Sequence, residues 1–287
     1  MAILQDQVAV ITGATRGFGL SIAETYGHAG ATVVVAARST TAVEKTVAQL
    51  QKEGLQASGL AGDVGDLAYV QALARHALDT WGRLDIWVNN AGVAGVSGPT
   101  AHIAAEEFVR IVQTNILGVF HGSWVALQHM VPQGCGKIIN LLGMGDRRPA
   151  PLQNAYGSSK AWVRSFTLAL AQEYKDSGVG IFALQPGMMH TDLMYKIEVV
   201  EGYAERLKVL ETLMRMWANP PAVPAQKALW LASSATDGRT GLEVRVLGMG
   251  RMLGGALREL WCRLLRRPGP PMSFDIHTVP ALLGPPQ

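Results

Sequence analysis

Short apolar runs alternate with helix-length segments along residues 8–247, and this alternation limits the possible folds more than any other feature. Each run has the length and apolar content of a strand that is buried on both faces. Parallel strands joined by helical crossovers form a doubly wound sheet, which binds ligands at the carboxyl ends of its strands. The sequence therefore predicts an α/β fold with a doubly wound parallel sheet of about seven strands and helices on both faces. The predicted strands are 8–12, 31–37, 56–60, 84–88, 137–142, 179–184 and 242–247, and the predicted helices are 20–29, 41–53, 67–81, 108–130, 156–170 and 225–233.

The size and composition of the chain restrict its class. Its 287 residues suffice for one large domain, predicted at 1–250, followed by a C-terminal extension at 251–287. The formal charge of +3 is small and evenly spread as far as residue 250, which argues against a nucleic-acid partner. Cys135 and Cys262 form no disulfide or metal pattern, so we expect a cytoplasmic protein without a bound metal. The sequence shows neither a signal-peptide pattern nor about 18 consecutive apolar residues that could span a bilayer.

A glycine-rich turn follows the first predicted strand and precedes a predicted helix. Glycines let the backbone approach a pyrophosphate closely, and the amide groups at a helix N-terminus attract phosphate. The spacing, G-x-x-x-G-x-G, is a variant of the commoner dinucleotide-binding pattern, and a plain glycine-rich turn is the alternative. The candidate cofactor-binding residues here are Gly13, Thr15, Arg16, Gly17, Phe18 and Gly19.

The residues after the second predicted strand favour NADP(H) over NAD(H). NAD-binding folds usually place an acidic residue here to bind the adenosine ribose 2′-hydroxyl. This chain instead has Ala36-Ala37-Arg38-Ser39, with no acid. Arg38 and Arg16 could bind a 2′-phosphate, because guanidinium groups suit phosphate well. The alternative is two solvated surface arginines.

Tyr156 and Lys160 are four residues apart in a predicted helix, so their side chains point in the same direction. A cation held close to a phenol favours the phenolate and makes tyrosine a usable proton donor and acceptor. Two unrelated residues on a helix surface would give the same spacing, so this pair needs the other motifs beside it.

Taken together, the motifs of residues 5–250 resemble those of the short-chain dehydrogenase/reductase family. They are Thr12-Gly-x-x-x-Gly-x-Gly19, Asp63, Asn89-Asn-Ala-Gly92, Asn115, Tyr156-x-x-x-Lys160 and Pro186-Gly-x-x-x-Thr191, in the order and spacing of the family. The resemblance implies that Tyr156 is the proton donor, that Lys160 binds the nicotinamide ribose, and that Asn115 holds a water molecule next to Lys160. It also adds cofactor-binding residues, which are Ser39, Asp63, Val64, Asn90, Ala91, Gly92, Pro186, Gly187, Met189 and Thr191.

The sequence departs from this family at its catalytic serine. Asn140-Leu-Leu-Gly143 places glycine at that position, and no Ser or Thr occurs between Lys137 and Ala155. A missing hydroxyl donor can cost about 2–4 kcal/mol in a transition state. The substrate could supply its own polarisation, another group could substitute, or the protein could do non-redox chemistry. The substitutes considered are Gln153, Asn154, His190 and water, and the candidate substrate-contacting residues are Gly143, Met144, Gln153, Met188 and His190.

Residues 188–220 lie where the family builds a substrate lid. This segment is rich in methionine and large apolar side chains, which adapt to irregular shapes and make an apolar substrate plausible. For most of these side chains, packing of the lid helix onto the sheet is the favoured interpretation.

The C-terminal extension is predicted to form a basic amphipathic helix followed by a proline-rich tail. Leu257, Leu260, Trp261, Leu264 and Leu265 form an apolar stripe at helical spacing, and the charges are Arg258, Arg263, Arg266 and Arg267. Pro268-Gly-Pro-Pro271 is expected to end the helix. Packing against protein, either its own subunit or a neighbour, is favoured over binding to an anionic membrane surface. The family resemblance also implies a homodimer or homotetramer.

The sequence thus predicts an NADP(H)-dependent oxidoreductase acting on an apolar small molecule. A hydride would move between nicotinamide and a carbonyl or alcohol carbon, with Tyr156 as proton donor or acceptor. Two alternatives stay open, a non-redox isomerase, lyase or cyclase and a catalytically silent NADP(H)-binding protein.

Overall fold

The computed structural model describes residues 2–265 and 272–282, and its centre is a parallel sheet. Within these residues the sheet has seven strands in the order β3-β2-β1-β4-β5-β6-β8. The strands are β1 (Val8–Thr12), β2 (Thr32–Ala37), β3 (Ala57–Ala61), β4 (Ile86–Asn89), β5 (Gly136–Leu141), β6 (Val179–Gln185) and β8 (Glu243–Arg245). This is the predicted doubly wound, Rossmann-type α/β architecture, so the fold class is confirmed.

Helices of the described chain cover both faces of the sheet or belong to the lid and the C-terminal extension. They are α1 (Gly17–His28), α2 (Thr40–Lys52), α3 (Leu67–Trp81), α4 (Ala105–Ile111), α5 (Gly118–Gln133), α6 (Asn154–Glu173), α7 (Asp192–Tyr195), α8 (Lys208–Trp217), α9 (Ala222–Ala232) and α10 (Met249–Leu264). Apolar side chains of the strands form one core with α1 and α9 and a second core with α3 and α5 on the opposite face. Within the described residues, no helix is both long and apolar enough to cross a bilayer.

The helix predicted at 108–130 is longer and less regular than its sequence suggested. It runs from Ala105 through α4 and α5 to Gln133, with a π-helical segment, Val112–Leu117, between the two. A π-helical turn carries one extra residue and leaves backbone groups outside the regular hydrogen-bond pattern, and such turns are common at functional sites. The candidate residue Asn115 lies inside this segment and is fully buried.

The described residues also form a two-stranded parallel sheet that the sequence did not predict. Strand β7 (Lys196–Val200) lies in the predicted lid and pairs with β9 (Asp275–Val279) of the C-terminal extension. A bridge from Ser97 to Val199 ties β7 to the loop after β4. The extension is therefore more than the predicted helix and proline-rich tail, because part of it is a strand of the lid.

The apolar stripe of the C-terminal helix points away from the other residues that the structure describes. The stripe was predicted to pack against its own subunit or a neighbour, and in the described chain all five of its side chains are exposed, so it does not pack against its own subunit there. The buried face of α10 is instead centred on Gly255, which lies against the end of α8. The residues predicted to end the helix, Pro268-Gly-Pro-Pro271, lie outside the described residues, as do Arg266 and Arg267.

Candidate active site

The candidate site lies at the carboxyl edge of the sheet, where the ends of β1 and β4 are joined by side-chain hydrogen bonds. The Thr12 hydroxyl accepts hydrogen bonds from the backbone amides of Asn90 and Ala91, each at 3.0 Å. The Asn90 amide group donates to the Thr12 carbonyl at 2.9 Å and to that of Gly13 at 3.2 Å. These bonds hold the glycine-rich turn against the residues that follow β4.

The glycine-rich turn needs glycine for two physical reasons. Gly13 and Gly17 adopt left-handed backbone angles, with φ of 66° and 56°, which other residues rarely adopt. At Gly19 a Cβ atom would overlap the Gly13 carbonyl oxygen and the Asn90 amide group. Because α1 begins at Gly17, the amide groups of its first turn lie at this edge of the sheet. This cradle fits the pyrophosphate of a dinucleotide.

The residues predicted to select the nucleotide lie on the surface beside this cradle. Arg16 and Arg38 are both exposed, and Arg38 directly follows β2. The Arg16 guanidinium forms an ion pair with Asp192 of α7 at 3.3 Å. Exposed pairs of this kind contribute little stability, so Arg16 can exchange Asp192 for a phosphate at small cost. Ser39 accepts a hydrogen bond from the Ala42 amide and caps α2.

Asp63 and Val64, the predicted adenine-contacting residues, follow β3 in a tight turn at the same edge. The Asp63 carboxylate accepts a hydrogen bond from the Gly65 amide at 2.8 Å, and Val64 is buried. The Val64 carbonyl lies 3.0 Å from Nδ1 of His121 on α5. The turn is thereby fixed against α5.

Tyr156 and Lys160 lie on one face of α6, as their spacing predicted. The Lys160 ammonium lies 5.7 Å from the centre of the Tyr156 ring and donates a hydrogen bond to the Leu141 carbonyl at 2.9 Å. Burial lowers the pKa of Lys160 to about 8. Burial, with a smaller effect from the Asp146 carboxylate, raises the pKa of Tyr156 to about 12. In the protein alone, desolvation therefore outweighs the effect expected from the Lys160 cation, and the net pKa of Tyr156 lies above its usual value.

Asn115 is held next to this pair by three hydrogen bonds. Its amide nitrogen donates to the Val93 carbonyl at 2.9 Å and to the Ser159 hydroxyl at 3.1 Å, and its oxygen accepts from the Val93 amide at 2.9 Å. A Cβ atom built on Gly92 would lie 3.4 Å from the Asn115 oxygen and 3.8 Å from the Lys160 nitrogen. The π-helical segment therefore brings Asn115, Gly92 and Lys160 together.

Gly143 faces the phenol of Tyr156. A Cβ atom on Gly143 would overlap the Tyr156 hydroxyl oxygen and would lie 3.1 Å from Cζ of its ring and 3.3 Å from Cγ of Lys160. The Tyr156 hydroxyl thus lies where the Cβ atom of any larger residue at position 143 would lie.

The groups considered as substitutes for the missing hydroxyl are bound to other partners. The Gln153 amide donates to the Ser97 hydroxyl at 2.9 Å, and the Asn154 amide donates to that of Thr100 at 3.2 Å. His190 Nδ1 lies 2.6 Å from the Tyr195 hydroxyl. In this conformation these three side-chain nitrogens are hydrogen-bonded within the protein, so they do not donate to a substrate oxygen.

Sequence reasoning missed a cluster of charged residues that holds the loop after β5. Asp146, in that loop, is buried and forms an ion pair with Arg245 of β8. Arg245 also binds Glu243 at 2.9 Å, and Glu243 binds Arg164 of α6 at 2.8 Å and Arg147. Burial alone would raise the pKa of Glu243, but hydrogen bonds from Arg164 and Arg245 keep that pKa below its usual value. These residues are far apart in sequence, so no local pattern indicated the cluster.

The lid begins after Pro186 and Gly187 and is closed on itself by backbone hydrogen bonds. The Asn219 amide donates to the Met188 carbonyl at 2.9 Å, and the His190 amide donates to the Asn219 carbonyl at 3.1 Å. Thr191 lies over the glycine-rich turn, because a Cβ atom on Gly17 would lie 3.5 Å from its methyl carbon. Met188 and Met189 are half-buried, whereas Met144, directly after Gly143, is exposed.

The donor set of the site suits a nicotinamide dinucleotide. The glycine cradle, the two arginines beside it and the Tyr156–Lys160 pair all lie at the carboxyl edge of the sheet. Among residues 2–265 and 272–282, no group of three or more His, Cys, Asp or Glu side chains could hold a metal ion.

Comparison with known proteins identifies the family. The family model described as short chain dehydrogenase matches residues 7–201. The chain is 34% identical over 250 residues to 3beta-hydroxysteroid dehydrogenase 1 of Eggerthella lenta, covering 85% of this chain and 94% of that protein. It is also similar to two solved structures. One is a 3-ketoacyl-(acyl-carrier-protein) reductase from Brucella melitensis complexed with NADH, with a TM-score of 0.76 and 30% identity over 87% of this chain and 99% of that one.

The other is a single-residue variant of actinorhodin polyketide ketoreductase with NADPH, with a TM-score of 0.77 and 28% identity over 88% of this chain and 99% of that one. The names of both structures include a nicotinamide cofactor, the class of ligand that the donor set of this site suits. From the family match and these relatives, we conclude that the chain belongs to the short-chain dehydrogenase/reductase family of NAD(P)-dependent oxidoreductases.

Proposed function

We propose that the protein is an NADP(H)-dependent oxidoreductase that interconverts a carbonyl group and an alcohol on an apolar small molecule. The observation that carries this proposal is the placement of Tyr156 and Lys160 on one face of α6, beside Gly143 at the carboxyl edge of the sheet. When bound, the nicotinamide supplies or accepts the hydride. Tyr156 donates its phenolic proton to the carbonyl oxygen in reduction and accepts it back in oxidation.

The other residues of the site assist this proton transfer. Lys160 binds the ribose of the cofactor and, as a cation, stabilises the phenolate left on Tyr156 after it gives up its proton. Asn115 holds the backbone at residue 93. In this proposal it also holds a water molecule that links Lys160 to bulk solvent, through which Tyr156 regains its proton. The glycine cradle with Thr15 and Phe18, the turn at Asp63 and Val64, and the residues from Asn90 to Gly92 and from Pro186 to Thr191 bind the rest of the dinucleotide. The chain lacks the serine hydroxyl of its family, so the donor that polarises the carbonyl is Tyr156 itself.

The substrate is proposed to be apolar and to lie under the lid, residues 188–220. Met144 is exposed beside Gly143, and Met188 and Met189 are half-buried where the lid begins. A relative with 34% identity is named as a hydroxysteroid dehydrogenase, which is in keeping with an apolar substrate. Four other lid side chains, Ile197, Val199, Val200 and Met214, are buried, whereas Leu193 and Val209 are exposed.

We also propose that the protein is a cytoplasmic homodimer or homotetramer. Phe108, Val109, Phe120 and Trp124 of α4 and α5 are large apolar side chains that the described chain leaves 37–51% exposed. A row of such side chains on adjoining helices is typical of a subunit interface. The absence of a disulfide or metal pattern around Cys135 and Cys262 supports a reducing compartment.

The reaction class can be tested by following NADPH absorbance with a panel of apolar ketones and the matching alcohols with NADP+. Consumption of NADPH that depends on the ketone would support the proposal. Conversion of a substrate without any change in nicotinamide absorbance would favour a non-redox enzyme. Nucleotide binding without turnover of any compound would favour a silent binding protein.

For the nucleotide, we expect NADPH to bind at least about tenfold more tightly than NADH, which corresponds to about 1.4 kcal/mol. The reason is that Arg38 and Arg16 lie beside the glycine cradle and no acid follows β2. Titration of each nucleotide by calorimetry measures the ratio. Arg38→Asp should weaken NADPH more than NADH, whereas Lys52→Asp, the same charge change on an exposed residue at the end of α2, should leave the ratio unchanged. Equal affinities in the unaltered protein would contradict the assignment.

For pH, we expect kcat/KM for reduction to fall above about pH 8, because Lys160 loses its charge there while Tyr156 stays protonated until about pH 12. The free-enzyme pKa governs kcat/KM, so the fall should approach tenfold per pH unit. A pH–rate profile from pH 6 to 10 measures it. In the Lys160→Arg variant the arginine stays charged to much higher pH. This variant should therefore show no such fall in kcat/KM, although its kcat/KM should be lower than that of the unaltered protein. The same decline in the arginine variant would assign the ionisation to another group.

A further inference from the structure

Among the described residues, the outward face of α10 carries six exposed large apolar side chains that the proposed chemistry does not use. Leu253 and the five side chains of the predicted stripe are 54–73% exposed. At 100° per residue, these six positions span an arc of about 140° on the helix. Single exposed leucines are ordinary, but a continuous row with a tryptophan marks a binding surface.

The opposite face of α10 is fixed to the lid, which determines the orientation of the helix. Gly255 lies so close to α8 that a Cβ atom there would overlap the Met216 carbonyl. The Arg258 guanidinium donates to the Arg215 carbonyl at 2.7 Å, and the Trp217 indole donates to the Met252 carbonyl at 3.1 Å. Turning the apolar row inward would break these contacts, so the row stays directed away from the chain.

The charge of this segment indicates what the row contacts. Residues 249–267 contain five arginines and one glutamate, a formal charge of +4. The single acid, Glu259, forms an ion pair with Arg215 at 3.4 Å and therefore faces the lid. An apolar row within a basic segment matches the surface of a bilayer that contains anionic lipid, with acyl chains below and phosphates around it. A second copy would bring another segment of +4 against this one, and the like charges would repel.

We propose that α10 is a membrane-surface helix, which lays its leucine and tryptophan row into the interface of an anionic lipid bilayer. Its 16 residues are about 24 Å long, and most of one face is bound to α8. The helix therefore lies parallel to the membrane plane and holds the domain against it. A cytoplasmic protein would meet such lipid on the inner face of the cell membrane. This proposal depends on the geometry of α10 and its charge, and it is independent of the reaction assigned to the active site.

Sedimentation of the full-length protein with lipid vesicles tests the proposal. Vesicles of phosphatidylcholine with about 30% phosphatidylglycerol should bind the protein, and pure phosphatidylcholine should bind it at least about tenfold less. Raising the salt concentration should weaken binding to the anionic vesicles, because exposed charges are screened. Replacing Leu257 and Leu264 together with glutamate should lower the partition coefficient at least about tenfold.

A matched double variant controls for added negative charge. Ile3 and Leu282 are 58% and 64% exposed, close to 60% and 73% for Leu257 and Leu264, and replacing both with glutamate should leave vesicle binding nearly unchanged. Unaltered thermal unfolding and NADPH affinity in both variants would show that the fold is intact. Absence of binding to anionic vesicles, or equal loss in the two variants, would overturn the proposal. So would a drop in solution mass for the Leu257 and Leu264 variant without any vesicle binding, which would make the face a subunit interface.

Discussion

Replacing Tyr156 with phenylalanine is expected to lower kcat for carbonyl reduction by about 10²–10⁴-fold, the usual contribution of a positioned proton donor. The substitution removes only the hydroxyl, so the ring can keep its packing beside Lys160. NADPH affinity should change less than about twofold, because the phenol is proposed to act on the substrate oxygen. Steady-state kinetics and nucleotide titration on the same preparation measure the two effects separately.

Tyr174→Phe provides the control for this substitution. Tyr174 ends the same helix, α6, and its replacement likewise removes one phenolic hydroxyl. We expect this variant to keep the kcat of the unaltered protein. A Tyr156→Phe variant that still oxidises NADPH at the native rate would exclude Tyr156 as proton donor and would favour chemistry that uses the pocket without a tyrosine acid.

The central sheet was predictable from the sequence because a strand buried on both faces is a continuous apolar run. Val8–Thr12 and Val179–Gln185 are such runs, and their predicted bounds differ from the structure by at most one residue. The spacing of Tyr156 and Lys160 was equally informative, since the geometry of one helix turn fixes their relation. These are local relations, which a single sequence records directly.

The features that the sequence did not predict depend on contacts between distant residues or on burial. Strand β9 pairs with a lid strand 79 positions earlier, and a single sequence does not record such a distant pairing. Asp146 meets Arg245 across 99 positions. The pKa of Tyr156 depends on how deeply the phenol is buried, which no spacing reveals.

The orientation of α10 shows that an amphipathic pattern does not determine which face of a helix packs against its own subunit. The sequence identified the amphipathic helix and its apolar row, and the larger apolar side chains were expected to be covered. In the structure Gly255 faces the lid, because the lack of a side chain allows α8 to approach the backbone. The face of α10 that packs against α8 is set by the close approach of the two helices at Gly255. Hydrophobic periodicity records only large apolar side chains and therefore does not predict packing at a glycine.

Adding a side chain at Gly143, the position that the family resemblance matches to the catalytic serine, is expected to reduce activity. Both Gly143→Ala and Gly143→Ser place a Cβ atom where the Tyr156 hydroxyl now lies. The phenol must move, and we expect kcat/KM for reduction to fall by about tenfold or more, because misplacing a reacting group by about 1 Å can cost about 100-fold. Measuring kcat/KM for both variants separates the effect of the added Cβ atom from that of the added hydroxyl, because Gly143→Ala adds only the Cβ atom. Serine should exceed alanine if its hydroxyl donates to the substrate oxygen.

The same overlap predicts a stability effect that does not depend on knowing the substrate. Crowding at position 143 should lower the free energy of unfolding by about 1–3 kcal/mol for Gly143→Ala. In the Tyr156→Phe protein the overlapping oxygen is gone, and the nearest ring atom, Cζ, lies 3.1 Å from the added Cβ. The cost of Gly143→Ala should therefore shrink in that background, and a double-mutant cycle on denaturant unfolding measures the difference. Two results would contradict this interpretation. One is an equal loss of unfolding free energy for Gly143→Ala with and without the Tyr156 hydroxyl, and the other is a faster native reaction in Gly143→Ser. Either would show that the position of Tyr156 does not depend on glycine at position 143. The site would then be an ordinary family site that tolerates the loss of its serine.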